Sequence, residues 1–427
     1  MSRFFILSEG GDGLGLAVRL QNEGHSVSMM IKDPDLDKRG ENIIEKGTLP
    51  GFGSIILADC TGSGHALDRY SEAGIPTFGG SQVADKLETD RKFASQVFKR
   101  CGIQEPDSKE FTDWTEAENF IKDLGDEVRL VFKPEGKFSG TVPSYVSSDS
   151  DDILDYLHHA KSLIGENDPS FVLQEFIDGT CISSEAWYAK DHFVRPTNHT
   201  LERKQLMCGD IGPSGGCTGN VVWRCEEWDC PLCRNLGKLD EFLRENSYNG
   251  CIDINSVVDK EGNIYALEFT PRFGYDAFPT LLYGLYEGDF GEFLADCASG
   301  NGPFDMPLRS GFAAGVRVSV PPWPNELYKS KEGLPLRGLR GNSFESFYPY
   351  EVSRFKDELK TSGGVGIIGV AIGYASNVED AFNEAYKVCD KLRLPDKQFR
   401  NDLIETFKSD IRKLKRAFSV SAQTVNT

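Results

Sequence analysis

The sequence lacks any apolar run long enough to cross a bilayer, although 39% of its residues are hydrophobic. A membrane-spanning helix needs about 20 predominantly apolar residues, so we expect none in this chain. The opening stretch at residues 3–7 is too short for the apolar core of a signal peptide and runs directly into a Gly-rich turn. We therefore expect a cytoplasmic protein whose 11 cysteines are reduced thiols.

Positive charge is also scarce, with 47 Lys and Arg against 66 Asp and Glu and a net charge of −19. Such a surface repels phosphate backbones, so bulk nucleic-acid binding is not expected, although a local basic pocket could still hold a small phosphate. The six histidines form no pattern typical of a Ser-His-Asp or Cys-His nucleophile. The expected partners are small-molecule substrates, and the chain is expected to be a monomer or a small homo-oligomer.

The chain of 427 residues has room for two to four domains. Short apolar runs alternate with helical stretches over residues 4–78, which predicts a parallel sheet of nucleotide-fold type. A polar, Gly-rich loop is predicted over residues 208–220, and a charged amphipathic surface helix over residues 397–418, followed by a frayed end. The pattern predicts a chain of α/β and α+β character.

The most informative segment is a predicted hairpin, with strands at residues 250–258 and 263–269 joined by a polar turn. Alternation along the first strand places Asp253 and Asn255 on the same face of that strand. On the second strand, Glu268 and Thr270 share a face in the same way. The hairpin can therefore bring the carboxylates of Asp253 and Glu268 together, an arrangement that is costly to bury without a cation. Oxygen ligands suit Mg²⁺, and Arg272 follows at once as a candidate anion ligand. A solvent-facing edge hairpin with ordinary charges is the alternative.

The residues that follow this hairpin resemble a known motif. Residues 267–274, Leu-Glu-Phe-Thr-Pro-Arg-Phe-Gly, resemble the Glu-x-Asn-x-Arg-Phe-Gly signature of the phosphoribosylamine–glycine ligase family of the ATP-grasp superfamily. Further similar segments occur in family order at residues 78–93, 174–179, 203–216 and 363–386. The resemblance thus covers nearly the whole chain.

The resemblance implies an ATP-grasp fold in three parts: a Rossmann-like pre-ATP-grasp domain at residues 1–103, an ATP-grasp domain at 104–310 with a small lobe at about 120–190, and a C-terminal mixed-sheet domain with a helical tail at 311–427. It also implies a reaction in which ATP phosphorylates a carboxylate and an amine attacks the acyl phosphate, with ATP and Mg²⁺ (or Mn²⁺) as cofactors. Orientation and charge neutralisation would carry the catalysis.

The family pattern also implies roles for individual residues. Arg272 and Lys133 are the implied catalytic residues, and Asp253, Glu268 and Thr270 the implied metal ligands. The implied nucleotide-binding residues fall into groups. Lys92 and Lys133 would reach the ATP phosphates, and Gly136, Lys137, Ser139 and Gly140 lie in the implied phosphate loop. Gln174 precedes Glu175, Phe176 and Ile177, whose backbone groups would read adenine, and Glu185 would meet the ribose. The implied substrate-binding residues are Gly10, Gly11, Arg203, Lys204, Asp210, Pro213, Gly215, Gly216, Arg272 and Gly274. For the lysines and arginines the alternative is an ordinary surface ion pair, and for the glycines and the Gln174–Ile177 segment a plain turn or core strand.

The sequence departs from the family pattern at several of these positions. The first Gly-rich loop has Asp12-Gly13-Leu14-Gly15 where the family has Arg-Glu-His, the metal motif has Thr270 in place of Asn, and Glu185 stands in for an acidic residue expected nearer Cys181. Three interpretations remain open: the usual substrates, a changed amine acceptor, or a non-catalytic nucleotide-binding homologue. A nicotinamide-binding module, based on the Gly-rich turn alone, is a weaker alternative because the spacing does not match G-x-G-x-x-G.

Three cysteines, Cys225, Cys230 and Cys233, have the C-x4-C-x2-C spacing of a zinc knuckle, and Cys208 or Cys217 could supply a fourth ligand. The family pattern does not include this cluster. Unlinked thiols in a loop that leads into a helix are the favoured interpretation. His199 is interpreted as a polar loop residue.

Overall fold

The computed structural model of the protein describes residues 1–136, 142–165, 169–226, 230–300, 302–325, 327–339 and 344–424. Three β-sheets with helices packed on them contain most of its strands, and a smaller sheet lies in the C-terminal region. No helix of these residues combines the length and apolarity that a membrane crossing requires.

The N-terminal region is a five-stranded parallel sheet, as the sequence predicts. Its strands are β1 (Arg3–Ser8), β2 (Ser26–Ile31), β3 (Glu45–Lys46), β4 (Ser54–Ala58) and β5 (Thr77–Phe78), in the spatial order β3-β2-β1-β4-β5. Phe4 and Ile6 of β1 pack in the cluster that contains helix α1 (Leu14–Asn22), whereas Phe5 and Leu7 pack with helix α2 (Gly64–Glu72). Helices therefore cover both faces, which explains why residues 4–7 of the strand are all apolar.

Residues 82–100 form two helices, α3 (Gln82–Thr89) and α4 (Arg91–Arg100). Asp90 separates them because its backbone is extended and its carboxylate accepts a hydrogen bond from the Phe93 N–H, which caps α4. The two helices lead into the next sheet.

A four-stranded antiparallel sheet forms the small lobe. Its strands are β6 (Ser108–Phe111), β7 (Leu130–Pro134), β8 (Tyr145–Val146) and β9 (Phe171–Glu175), in the order β6-β9-β7-β8. Helices α5 (Trp114–Leu124) and α6 (Ser150–Ile164) pack on it around Phe111, Phe132 and Phe171, which are buried and stacked on one another. The lobe thus has its own hydrophobic core.

An eight-stranded sheet forms the centre of the molecule, and a three-stranded sheet lies beside it. The remaining strands are β10 (Gly179–Ala189), β11 (His192–Met207), β12 (Ile211–Cys225), β13 (Asn249–Asp259), β14 (Ile264–Phe269), β15 (Phe312–Ser319), β16 (Pro335–Leu336), β17 (Phe347–Pro349), β18 (Val352–Phe355), β19 (Glu358–Thr361) and β20 (Ile367–Ala375). The eight-stranded order is β14-β13-β10-β11-β12-β15-β20-β17, and the small sheet has the order β16-β19-β18.

The remaining helices cover the central sheet or connect its strands. They are α7 (Pro231–Gly237), α8 (Asp240–Glu245), α9 (Ala277–Thr280), a π-helical turn (Leu281–Leu285), α10 (Phe290–Ser299), α11 (Val378–Lys391) and α12 (Leu403–Thr424). The C-terminal helix α12 continues beyond the predicted end at residue 418, and it buries Leu403, Phe407 and Leu414 against the core rather than lying loosely on the surface.

The stretch at residues 208–220, predicted as a loop, is mostly strand: β12 begins at Ile211 and pairs with β11. Glycines in this stretch allow close packing against neighbouring side chains and do not mark a loop. A side chain at Gly215 would overlap the indole of Trp323, and one at Gly219 would overlap Leu403. Glycine lowers strand propensity, but the pairing and packing available here outweigh that preference.

Two predicted domain boundaries differ from the sheet pattern. The boundary between residues 310 and 311 falls inside the eight-stranded sheet, because β12 pairs with β15 and β15 pairs with β20. The small-lobe sheet starts at Ser108 rather than near 120, and the strand Gly179–Ala189 belongs to the central sheet. Sequence periodicity finds strands but does not show which sheet they join, and this explains both differences.

Candidate functional site

A cleft of about 1030 Å³ lies between the Gly-rich loop after β1, the β13–β14 hairpin and the segment before β20. It brings together nine of the predicted site residues: Gly10, Lys204, Gly215, Gly216, Asp253, Glu268, Thr270, Arg272 and Gly274. These positions span more than 260 residues of sequence, and the central sheet and the N-terminal loop carry them to one place. The cleft is large enough for a nucleotide and a small substrate.

The predicted hairpin forms as strands β13 and β14. Asn255 lies opposite Glu268, and the Thr270 N–H donates to the Asp253 carbonyl oxygen at 3.0 Å. The side chains of Asp253, Asn255, Glu268 and Thr270 all line the cleft, and the Asn255 amide donates to the Glu268 carboxylate at 3.4 Å. Four oxygen-bearing side chains therefore meet at one point of the sheet.

Asp253 is the buried member of this group. Its side chain accepts a hydrogen bond from the Ser183 hydroxyl, while its Oδ1 atom has no hydrogen-bond partner among the described residues. Burial raises the pKa of the Asp253 carboxyl to about 7, partly offset by the Ser183 hydrogen bond. A divalent cation would compensate this buried carboxyl and occupy the unpaired oxygen. The donors present fit Mg²⁺, which prefers carboxylate, amide and hydroxyl oxygens.

Arg272 lies beside this cluster and is held in place. Its guanidinium donates to Glu88 Oε1 from Nη2 at 3.1 Å and to the Phe273 carbonyl at 3.3 Å, and it stacks over the Tyr275 ring at 4.3 Å from the centroid. These contacts orient a mostly buried cation towards the cleft. An oriented guanidinium suits an anionic group that changes its charge during a reaction.

The two predicted phosphate-reaching lysines have different environments. Lys133 on β7 is half-buried, and its pKa is lowered mainly by burial, while Glu268 opposes that shift by favouring the charge. Lys92 on α4 is exposed, with its ammonium 3.7 Å from the Glu110 carboxylate. The structure therefore associates Lys133, and not Lys92, with the carboxylates of the hairpin.

The predicted phosphate loop lies mainly outside the described residues: Lys137, Ser139 and Gly140 cannot be placed. Gly136 is described and has a positive φ of 58°, a conformation that glycine adopts without steric cost. The chain thus turns sharply at the end of β7, where the sequence predicts the loop to begin.

The predicted adenine-reading segment, Gln174 to Ile177, links the end of β9 to β10. The Glu175 N–H donates to the Asp107 carbonyl at 2.8 Å, and the Phe176 N–H donates to the Arg129 carbonyl at 3.2 Å. Two of the backbone donors predicted to read adenine are therefore engaged within the lobe.

Three predicted substrate residues lie away from the cleft lining. Arg203 forms ion pairs with Asp410 of α12 and with Asp210, and Asp210 also pairs with Arg400 at 2.5 Å. Pro213 is exposed on β12. Adjacent residues of a strand point to opposite faces, so Lys204 reaches the cleft and Arg203 the C-terminal helix. The basic pair therefore divides between a site role and a structural role.

Glu185 and Gly11 also lie in places that the motif did not indicate. Glu185 is buried opposite Asp253 in the β10–β13 pairing, where it accepts a hydrogen bond from the Trp187 indole at 3.1 Å. Burial, and then the Asp253 charge, raise the pKa of Glu185 to about 8. Glu185 therefore lies beside Asp253 on the same face of the sheet, and not with Gln174–Ile177. Gly11 is buried and donates to Ser8 Oγ at 2.6 Å, so it shapes the loop from below.

The cleft contains functional candidates that the motif did not include. Glu202 lines it, and burial raises the pKa of that carboxyl. Arg317 forms a buried bidentate pair with Asp276, at 2.8 Å for both bonds, and also donates to the Gly215 carbonyl at 2.7 Å. Arg317 therefore fixes the Gly215–Gly216 segment. Strand alternation could have indicated Glu202, which shares a face with Lys204, but only the tertiary pairing reveals the Arg317 contact.

Comparisons with known proteins show which proteins this chain resembles. The family model for the ATP-grasp (A) domain of phosphoribosylglycinamide synthetase matches residues 89–276. The phosphoribosylamine–glycine ligase of Lactococcus lactis subsp. lactis is 24% identical over 346 residues, which cover 79% of this chain and 80% of the relative. The trifunctional purine biosynthetic protein adenosine-3 of Drosophila melanogaster is 26% identical over 364 residues, which cover 79% of this chain and 25% of that protein.

Solved structures show the same fold. The phosphoribosylamine–glycine ligase of Thermotoga maritima superposes with a TM-score of 0.69 at 19% identity, covering 94% of this chain and 99% of that one. The biotin carboxylase of Campylobacter jejuni superposes with a TM-score of 0.62 at 14% identity, covering 92% of each chain. The predicted fold class is thereby confirmed. The chain is thus similar to phosphoribosylamine–glycine ligases over 79% of its length, and its residues 89–276 match the ATP-grasp (A) domain of that family.

Proposed function

We propose that the protein is an ATP-dependent ligase that joins the carboxylate of glycine to the amine of phosphoribosylamine, releasing ADP and phosphate. The observation that carries this proposal is the cluster of Asp253, Asn255, Glu268 and Thr270 beside Arg272 in one cleft. Phosphoryl transfer to a carboxylate needs little covalent chemistry from the protein, but it does need positioned charges around the phosphates. The match of residues 89–276 to an ATP-grasp domain supports the use of ATP.

Each group in the cleft has a role in this reaction. Asp253 and Glu268, with Asn255 and Thr270, would hold Mg²⁺ or Mn²⁺, which when bound neutralises phosphate charge. Lys133 would reach the nucleotide phosphates, because burial removes competing water and Glu268 favours its charge. Arg272 would stabilise the transferring phosphoryl group or the glycine carboxylate. Lys204 would contact an anionic part of the substrate.

The chemistry then proceeds in two steps on the substrates. The glycine carboxylate oxygen attacks the γ-phosphorus of ATP, the bond to the β-phosphate oxygen breaks, and ADP leaves. The amine nitrogen of the acceptor attacks the acyl phosphate carbon, inorganic phosphate leaves, and the amine loses a proton as the amide forms. No protein nucleophile takes part. The work of the protein is orientation, charge stabilisation and exclusion of water. We place the reaction in the cytoplasm.

A second candidate is the same reaction with a different amine acceptor. The Gly-rich-loop end of the cleft contains Glu9, Asp12 and Asp33, and its cations are already paired: Lys32 lies 3.2 Å from Glu9, and Arg39 donates to Glu351 at 2.7 Å. A phosphate-bearing acceptor requires uncompensated cations, whereas a cationic or neutral amine does not. This end of the cleft therefore favours an acceptor without a phosphate.

The test is ADP release by the purified protein with ATP, Mg²⁺ and glycine, with and without freshly generated phosphoribosylamine. Release that requires both substrates would establish the first reaction. Release with glycine and another amine from a panel, but not with phosphoribosylamine, would establish the second. No release with any combination would contradict both and would indicate a nucleotide-binding homologue without ligase activity.

A further inference from the structure

Four side chains with metal-binding atoms meet on the central sheet, away from the cleft. They are His199 on β11, Cys225 at the end of β12, Cys230 just before α7, and Cys233 within α7. One ligand atom from each lies within 4.8 Å of all the others. Residues that are up to 34 positions apart in the sequence therefore converge on a single point.

The individual distances are close to those of a four-coordinate metal centre. His199 Nε2 lies 3.6 Å from Cys230 Sγ and 3.9 Å from Cys233 Sγ. A tetrahedral zinc ion, with bonds of about 2.0–2.3 Å, holds its ligand atoms roughly 3.3–3.8 Å apart. The Cys230 and Cys233 sulfurs are closer, at 2.9 Å, yet still far beyond the roughly 2.0 Å of a disulfide. Bound zinc would separate them slightly.

Surrounding contacts orient the ligands towards that point. Ser184 Oγ lies 2.9 Å from His199 Nδ1, which occupies that nitrogen and directs Nε2 towards the sulfurs. Cys230 Sγ accepts a hydrogen bond from the Cys233 N–H at 3.2 Å, and Thr197 Oγ1 lies 3.1 Å from Cys233 Sγ. Hydrogen bonds of this kind, to the second histidine nitrogen and to thiolate sulfurs, are typical of protein zinc sites.

We propose that His199, Cys225, Cys230 and Cys233 bind one zinc ion in a closed structural site. Three thiolates and one imidazole are the donor set that zinc prefers, and four protein ligands leave no position for a substrate. The ion ties the end of β12 and helix α7 to β11. The assignment of His199 replaces Cys208 and Cys217 as the fourth ligand: Cys208 is exposed and donates to Asn401, and Cys217 lines the cleft.

The site lies on the opposite face of the sheet from the cleft. Ser183 and Ser184 are neighbours on β10, so they point to opposite faces; Ser183 contacts Asp253 and Ser184 contacts His199. The ion therefore stabilises, from behind, the strand that supports the catalytic carboxylate. This proposal does not depend on the proposed function, because its evidence comes only from the face of the sheet that carries His199 and the three cysteines.

The experiment is elemental analysis of the full-length protein, purified without chelator and desalted, followed by substitution with Co²⁺. We expect about one zinc per chain, and for the Co²⁺ form the thiolate charge-transfer and tetrahedral ligand-field absorption bands of a Cys₃His site. The wild-type spectrum needs no variant, so a folding defect cannot obscure it. Zinc-free protein without such Co²⁺ bands would overturn the proposal.

Variants identify the ligands. Cys230→Ser and His199→Asn should lose most of the zinc, whereas Cys101→Ser, a half-buried cysteine outside the cluster, and Cys208→Ser should retain it. Loss of zinc in Cys208→Ser together with retention in His199→Asn would overturn the assignment of His199. A thiol titration of denatured, unreduced protein that finds two thiols fewer than the 11 of the sequence would show a disulfide instead.

Discussion

Strand β10 separates two clusters with contrasting chemistry. On its cleft face, Ser183 contacts Asp253, and the donors are carboxylate, amide and hydroxyl oxygens. On the other face, Ser184 contacts His199, and the donors are sulfurs and an imidazole. In the cleft cluster (Asp253, Asn255, Glu268 and Thr270), Glu268 is exposed, so a cation held there would keep coordination positions for a substrate. The thiol cluster (His199, Cys225, Cys230 and Cys233) would give a zinc ion four protein ligands and leave no such position. We therefore expect the first to act in turnover and the second in stability.

The largest expected effect is that of Glu268→Ala, which removes the exposed carboxylate that we propose as a metal ligand. We expect ADP release to fall by about 100-fold or more, because charge neutralisation at the phosphates is lost, while Tm changes by less than about 3 °C. The matched control is Glu261→Ala, an exposed carboxylate in the turn of the same hairpin. Near wild-type turnover in Glu268→Ala would contradict the metal assignment.

A smaller effect should distinguish the two predicted phosphate-reaching lysines. Lys133→Ala should raise KM for ATP by about tenfold or more, because a half-buried ammonium beside the cleft carboxylates is lost. Lys92→Ala should change it by less than about threefold, because that ammonium is exposed and lies near Glu110. Steady-state kinetics with varied ATP measure both. Equal effects would show that Lys92 also reaches the nucleotide.

The cleft cluster should also depend on pH. Burial raises the pKa of Asp253 to about 7, above the ordinary carboxyl range, so the group is protonated below that pH and protons compete with the cation. Mn²⁺ affinity, followed by the electron paramagnetic resonance of the free ion, should be weaker at about pH 6 than at about pH 8 by roughly tenfold. A pH-independent affinity over this range would show that Asp253 is not a ligand.

The smallest effect on turnover should come from the thiol cluster. Removal of zinc with a chelator, followed by excess Mg²⁺, should lower Tm by about 5–10 °C yet change the rate well below Tm by less than about twofold. Calorimetry and the ADP assay measure the two quantities, with Cys101→Ser as the control protein for thiol chemistry. A loss of turnover as deep as that of Glu268→Ala, in protein that is still folded, would remove the distinction between the clusters.

The two clusters also differ in how far the sequence predicts them. The hairpin is local: Asp253 and Glu268 are 15 positions apart, so strand alternation and one turn suffice to bring them together. The thiol spacing indicates three ligands, but the fourth, His199, is joined to them only by the β11–β12 pairing, where it lies opposite Trp223. The sequence alone indicated Cys208 or Cys217 as the fourth ligand instead. Pairing between strands is tertiary information, and the pattern of one chain does not contain it.

The same limit applies to the wider site. The parallel N-terminal sheet and the order of the motifs follow from periodicity and family resemblance. The different positions of Arg203 and Lys204 cannot be predicted in this way. They depend on helix α12, which supplies Asp410 as a partner for Arg203 on one face of the central sheet. The buried Asp276–Arg317 pair joins the residue before helix α9 to strand β15, which belong to two predicted domains, so it could not be found within either.

The continuous eight-stranded sheet has a consequence for any attempt to divide the protein. Shortening the chain at residue 310 would remove β15 and β20, and the backbone of β12 would become an open edge over residues 219–222, which now pair with β15. An unprotected edge of this kind recruits strands from other molecules. A chain that ends at residue 310, the predicted end of the ATP-grasp domain, is therefore expected to self-associate.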